Sequence, residues 1–144
     1  MSTATLLPAF PAALSPGAAA GIDDALIGVV VDAFYARVRA DVMLGPIFAA
    51  AVQDWPTHLQ RLRTFWSSVT LMSGTYKGQP LQAHFGLPPL SDAHFQRWLA
   101  LFEETIGAHC TPQQAEVFRV RARRIADSLR FGLASLRGEI AQPL

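Results

Sequence analysis

Two histidines in different surroundings are the residues of this chain best suited to chemistry. His84 lies in Gly78-Gln79-Pro80-Leu81-Gln82-Ala83-His84-Phe85-Gly86-Leu87-Pro88-Pro89, a short piece broken on both sides by Gly and Pro. A loop bounded in this way has a specified course and can present a neutral imidazole to a metal. His58 stands twenty-six residues earlier, inside an amphipathic helical pattern. There His58, Leu62, Trp66 and Val69 follow one another by four, four and three residues and share one face. Two imidazoles facing one cavity from opposite walls is the arrangement that a haem iron needs. Taken alone, His58 equally fits a partly buried structural residue at the end of an apolar stripe.

Other polar groups fall on apolar surfaces. Tyr35 lies one turn after Val31 and off the main stripe of its segment, where its hydroxyl can line the edge of a cavity and needs a partner. Trp98 brings a single N–H donor into a helix face between Phe95 and Phe102, as a donor or as a core aromatic. His94 suits a surface or capping role near a helix start, and His109 and Cys110 read as junction residues. Arg119, Arg121, Arg123, Arg124 and Arg130 alternate with the apolar face of the last helical pattern, which predicts a solvated face rather than a nucleic-acid patch. There is no cluster of carboxylates and no Gly-rich phosphate loop to support hydrolysis or nucleotide binding.

The elements that must hold these residues are helical. Ile27, Val30, Phe34 and Val38 recur at helical spacing from Asp23 to about Ala40, with Asp23 or Asp24 placed to cap the start. Gly45-Pro46 breaks the pattern before a short helical piece that carries Phe48 toward the interior. Asp54 is a cap with Pro56 in the first turn, and Trp55, Leu59, Leu62, Phe65, Trp66, Val69 and Met72 carry a helix to about Ser73. Ser91 opens a helix with the stripe Phe95, Trp98, Leu99, Phe102 and Ile106, ending near Gly107. Thr111-Pro112-Gln113-Gln114 then has a capping Thr, a Pro at the first helical position and a Gln three residues after the cap. The long helix that follows is expected to bury Phe118, Ala122, Ile125, Leu129, Leu133 and Leu136. No segment alternates as a strand, so the predicted class is all-α, with four main helices and the His84 loop.

Composition sets outer bounds. With 144 residues, 51% of them apolar, the chain is long enough for one domain with its own core. Twelve basic against eleven acidic residues leave a net charge of +1, with no bulk attraction to nucleic acid or an anionic membrane. Cys110 is the sole cysteine, so there is no intrachain disulfide and no C-x-x-C-H motif, and any haem is held non-covalently. Residues 1–21 are rich in Ala, Pro and Leu without any Lys or Arg, and are expected to be a poorly ordered tail ahead of a domain at 22–144. A basic secretory leader and a membrane span are not expected, and the predicted location is the cytoplasm.

Read in order, Phe34-Tyr35, Leu44-Gly45-Pro46-Ile47-Phe48, Trp55 with His58, Phe65-Trp66, Tyr76-x-Gly78-Gln79-Pro80-Leu81-x-x-His84, Leu87-Pro88-Pro89 and Trp98-Leu99-x-Leu101-Phe102-Glu103-Glu104 resemble the group III truncated haemoglobins of bacteria. The resemblance spans roughly Ile27 to Ile106 and extends more loosely through the last helix. It implies a truncated globin, a two-over-two helical sandwich around haem b. It further implies His84 as the proximal iron ligand and Tyr35, His58 and Trp98 on the distal side. Phe48, Leu62, Phe65 and Trp66 would line the haem pocket, with Arg61 reaching a propionate. The implied activity is reversible binding of dioxygen, carbon monoxide and nitric oxide. Nitric oxide dioxygenation or peroxide reduction, served by a reductase or a peroxidase substrate, is an alternative use of the same site, and a haem-free helical interaction module is another. The first 21 residues, and Pro56 in the turn leading to His58, depart from the compact family pattern.

Overall fold

Local capping fixes where the helices begin. A computed structural model of the chain describes residues 15–76, 90–136 and 138. Its described residues form six helices and no strand: α1 (Pro16–Ala19), α2 (Asp24–Ala40), α3 (Gly45–Ala51), α4 (Trp55–Leu71), α5 (Asp92–His109) and α6 (Pro112–Leu136). The Asp23 carboxylate accepts from the Leu26 N–H at 2.8 Å, and Asp54 accepts from the Thr57 N–H at 3.1 Å. At α6 the Gln114 N–H donates to Thr111 Oγ1 at 3.2 Å while the Thr111 N–H donates to Gln114 Oε1 at 3.0 Å, so both orphan donors of that turn are satisfied. Helix α4 stops at Leu71, and Met72 adopts a left-handed conformation and is 65% exposed. Met72 therefore leaves the buried stripe in which its spacing had placed it.

Helix α2 packs on α3, α4 and α5, α5 packs on α6, and α6 closes against α4. This gives two helix pairs laid across each other. Phe34 of α2, Phe102 of α5 and Phe118 of α6 are fully buried at the crossing, and Trp66 of α4 stacks on Phe102 with centroids 5.1 Å apart. Of the expected face of α6, Phe118, Ala122, Leu129 and Leu133 are buried and Ile125 is partly so, while the side chain of Leu136 lies outside the described residues. Arg130 is the exception among the arginines of that helix. Its side chain is buried and donates to Asp92 at 2.9 Å and Asp127 at 3.3 Å, so it joins α5 to α6 instead of facing water. Arg119 pairs with Glu103 and Glu116 on the surface.

Helix α1 falls inside the stretch expected as tail. It packs on α4 and α6, and a side chain on Gly17 would collide with the Thr70 carbonyl. The Gln114 amide donates to the Gly21 carbonyl at 3.2 Å, and Ile22 is buried.

The corner between α2 and α3 is held by Asp41. Its buried carboxylate accepts from the Met43 and Leu44 N–H groups at 3.0 and 2.9 Å and from Arg97 Nε of α5 at 2.7 Å. The Leu44 bond above all, then Arg97 and the Met43 bond, hold its pKa below the usual carboxylate value against the opposing effect of burial. A depressed folded-state pKa stabilises the protein above the unfolded carboxylate's range, and that contribution disappears as pH falls through the folded value. Asp41→Asn is therefore expected to melt at a lower temperature than the parent near pH 7, with the gap narrowing at a pH below the usual carboxylate range. Thermal unfolding followed at both pH values checks this, and a gap that does not change with pH would show that the charge of Asp41 is not what holds the corner.

Candidate functional site

Four helices bring one cluster of five side chains together. Tyr35 comes from the buried face of α2, Phe48 from α3, Trp55 and His58 from the first turn of α4, and Trp98 from α5. The Tyr35 ring stands 5.8 Å from Phe48, 6.3 Å from Trp55 and 6.1 Å from the His58 imidazole, centroid to centroid. His58 also sets an edge against Trp55 at 5.5 Å. Phe34 links the cluster to the core, with its ring 4.7 Å from Tyr35, 5.2 Å from Trp98 and 5.0 Å from Phe102.

Tyr35 is 5% exposed, and burial pushes its hydroxyl well above the ordinary tyrosine range, opposed by a hydrogen bond with Trp98. The phenol stays a neutral O–H. An indole N–H can only donate, so the Tyr35 oxygen is the acceptor in this bond and its own proton remains to be donated elsewhere. Tyr35, His58 and Trp98, anticipated as one distal set, are thus brought together.

The lining residues separate by depth. Phe48, Leu62, Phe65 and Trp98 are partly buried and pack against the core, whereas Trp66 is only 2% exposed and lies against Phe102 and Phe118. Phe65 meets Tyr76 at 5.1 Å. Arg61 is exposed on α4. His84 and the Gly/Pro-bounded loop around it lie outside the described residues. His94, as anticipated, is a capping residue, its Nδ1 accepting from the Ser91 N–H at 2.9 Å. His109 is exposed, and burial raises the Cys110 thiol pKa, which disfavours a reactive thiolate.

Trp55 and Arg39 belong to this cluster but were not picked out as site residues. The Arg39 guanidinium lies over the Trp55 ring, 4.4 Å from its centroid. Trp55 stands among the residues that carry the family resemblance and precedes His58 by three, whereas the signal for Arg39 was spacing alone, four residues after Tyr35.

The chain is 37% identical over 109 residues to the group 3 truncated hemoglobin ctb of Campylobacter jejuni, a match covering 73% of this chain and 86% of that protein. The chain belongs to the group III truncated haemoglobins. The crystal structure of the group III truncated hemoglobin from Campylobacter jejuni agrees with this truncated haemoglobin at a TM-score of 0.70 and 37% identity, covering 75% of this chain and 88% of the other. No family model matches the chain. It is a haem-binding globin of the helical sandwich class expected from its sequence, and none of its described helices is long and apolar enough to cross a membrane.

The residues present fit a haem. A flat macrocycle needs an apolar wall that the protein's own core does not consume, and Phe48, Leu62, Phe65 and Trp98 offer large side chains left partly uncovered. Hydrogen-bonding groups on this wall are few and gathered at Tyr35, His58 and Trp98. Among the described residues no three His, Cys, Asp or Glu side chains converge as a metal-binding group.

Proposed function

We propose that this truncated haemoglobin holds haem b through His84 and takes up and releases dioxygen, carbon monoxide and nitric oxide reversibly, with Tyr35, His58 and Trp98 controlling the distal side. The haem, held by His84, would supply an iron able to bind small diatomic ligands. The observation that carries the reading is the buried, neutral Tyr35 hydroxyl, a donor gathered with His58 and the Trp98 N–H on one apolar wall. Such a donor stabilises a polarised ligand through a charge-assisted hydrogen bond. Phe48, Leu62 and Phe65 serve to exclude water from the bound group and seat it. An absorption spectrum of the purified protein, reduced and then exposed to carbon monoxide, tests the proposal. The reading requires a Soret band that shifts on adding the gas.

His58 has a different part in this scheme. It is half-buried, near the start of α4, and meets Tyr35 and Trp55 edge-on, which suits a side chain that swings across the opening of the cavity. His58→Leu is expected to speed ligand uptake while changing release much less. Flash photolysis and stopped-flow mixing separate the two rates, and a variant whose release rate changes as much as its uptake rate would make His58 a direct ligand donor instead.

A further inference from the structure

One side of the Tyr35 cluster is covered by Trp55. Trp55 touches each of the side chains around Tyr35 that come from the α3 and α4 side: it stacks on Phe48 at 6.4 Å with a 30° tilt, meets His58 at 5.5 Å and approaches Tyr35 at 6.3 Å. It is itself only half-buried, whereas Tyr35 beside it is nearly inaccessible. Arg39 is exposed and its guanidinium covers the Trp55 ring at 4.4 Å. Among the described residues Arg39 makes no ion pair, whereas Arg63, Arg97, Arg119 and Arg130 each pair with a carboxylate at 3.3 Å or less. Its contact among the described residues is the indole face.

We infer that Trp55, clamped from outside by Arg39, is a second gate of the distal cavity and acts as a size filter on ligands that reach Tyr35. The inference rests on the haem-binding reading above. An indole is rigid and packs against Tyr35 of α2, Phe48 of α3 and His58 of its own helix, so a small diatomic passes with the swing of His58 alone, but a bulky ligand requires the Trp55 ring to move. Moving the ring breaks its contact with Arg39. Trp55 and Arg39 are thus positioning residues whose effect grows with ligand size.

The test compares carbon monoxide with tert-butyl isocyanide, using recombination rates after flash photolysis of the reduced full-length protein. Trp55→Ala is expected to speed the isocyanide far more than carbon monoxide, and Trp55→Phe to keep most of the discrimination. Arg39→Ala, a surface change that leaves the core intact, is expected to speed the isocyanide by about two- to fivefold, the factor matching a cation–π contact at an exposed site. A general loosening of the fold would instead accelerate both ligands alike in Trp55→Ala and leave Arg39→Ala silent. An unchanged isocyanide-to-carbon-monoxide ratio in both alanine variants, with the parent's Soret band intact, overturns this gate alone. A parent protein that shows no Soret band when supplied with haem overturns the haem-binding reading and the gate with it.

Discussion

Replacing His84 by alanine is expected to remove most of the bound haem or leave an iron spectrum without its imidazole signature, while His94→Ala and His109→Ala retain both. The chain has four histidines. His94 is committed to the Ser91 N–H at the start of α5, His109 is exposed in the last turn of that helix, and His58 stands beside Tyr35 and Trp55. His84 is the remaining imidazole, and it occupies the Gly-Gln-Pro-Leu-x-x-His motif that matches the family's proximal position. On the proposal that His84 holds the iron, its loss would leave apolar contacts to retain the macrocycle without fixing its coordination. Haem content per chain and the resonance Raman band of the iron–imidazole bond are the measurements. Stoichiometric haem with an unchanged imidazole signature in His84→Ala would end the assignment.

The helices were legible because their signals are local. Asp23, Asp54 and Thr111 each bond a backbone N–H three residues on, and a bond of that span is decided by the residue types themselves. The aromatic stripes of α5 and α6 were legible for the same reason, since period and burial coincide on a helix that packs along one side. Features that depend on partners distant in sequence were not. Helix α1 has four residues, too few to form alone, and exists because Gly17 lets it sit against the Thr70 carbonyl of α4. Arg130 sits in an arginine-rich pattern that reads as a solvated face, and its burial follows from Asp92, thirty-eight residues earlier. Met72 continued the spacing of the α4 stripe, but a periodic pattern does not say where a helix stops. For the site, Tyr35, His58 and Trp98 were recognisable as a set through the family resemblance, which supplied a partnership that spacing along the chain cannot. The contact of Arg39 with Trp55 carried no comparable pattern, because a cation over a ring depends on how α2 and α4 cross.

Tyr35→Phe is expected to raise the rate of dioxygen release by about one to two powers of ten, on the scale of about 1.5 to 3 kcal/mol for a hydrogen bond to a charged partner. The substitution keeps the ring, so its contacts with Phe34 and Phe48 survive and the effect isolates the hydroxyl. Trp98 bears on the same hydroxyl, since its N–H bonds the Tyr35 oxygen and so sets the direction of the remaining proton. The two residues form one network, so the free-energy costs of Tyr35→Phe and Trp98→Phe should not add, with a coupling above about 0.5 kcal/mol. The sign of that coupling separates two ways of working. If Trp98 acts by bracing Tyr35, Trp98→Phe costs less once Tyr35 is already phenylalanine. If the freed indole N–H turns toward the ligand when Tyr35 is lost, Trp98→Phe costs more in that background. A four-protein cycle, with dioxygen displaced by carbon monoxide in stopped flow, measures both. Clean additivity would reduce Trp98 to a core aromatic packed on Phe34 and Phe102, and an unaltered release rate in Tyr35→Phe would remove the hydroxyl from ligand binding altogether.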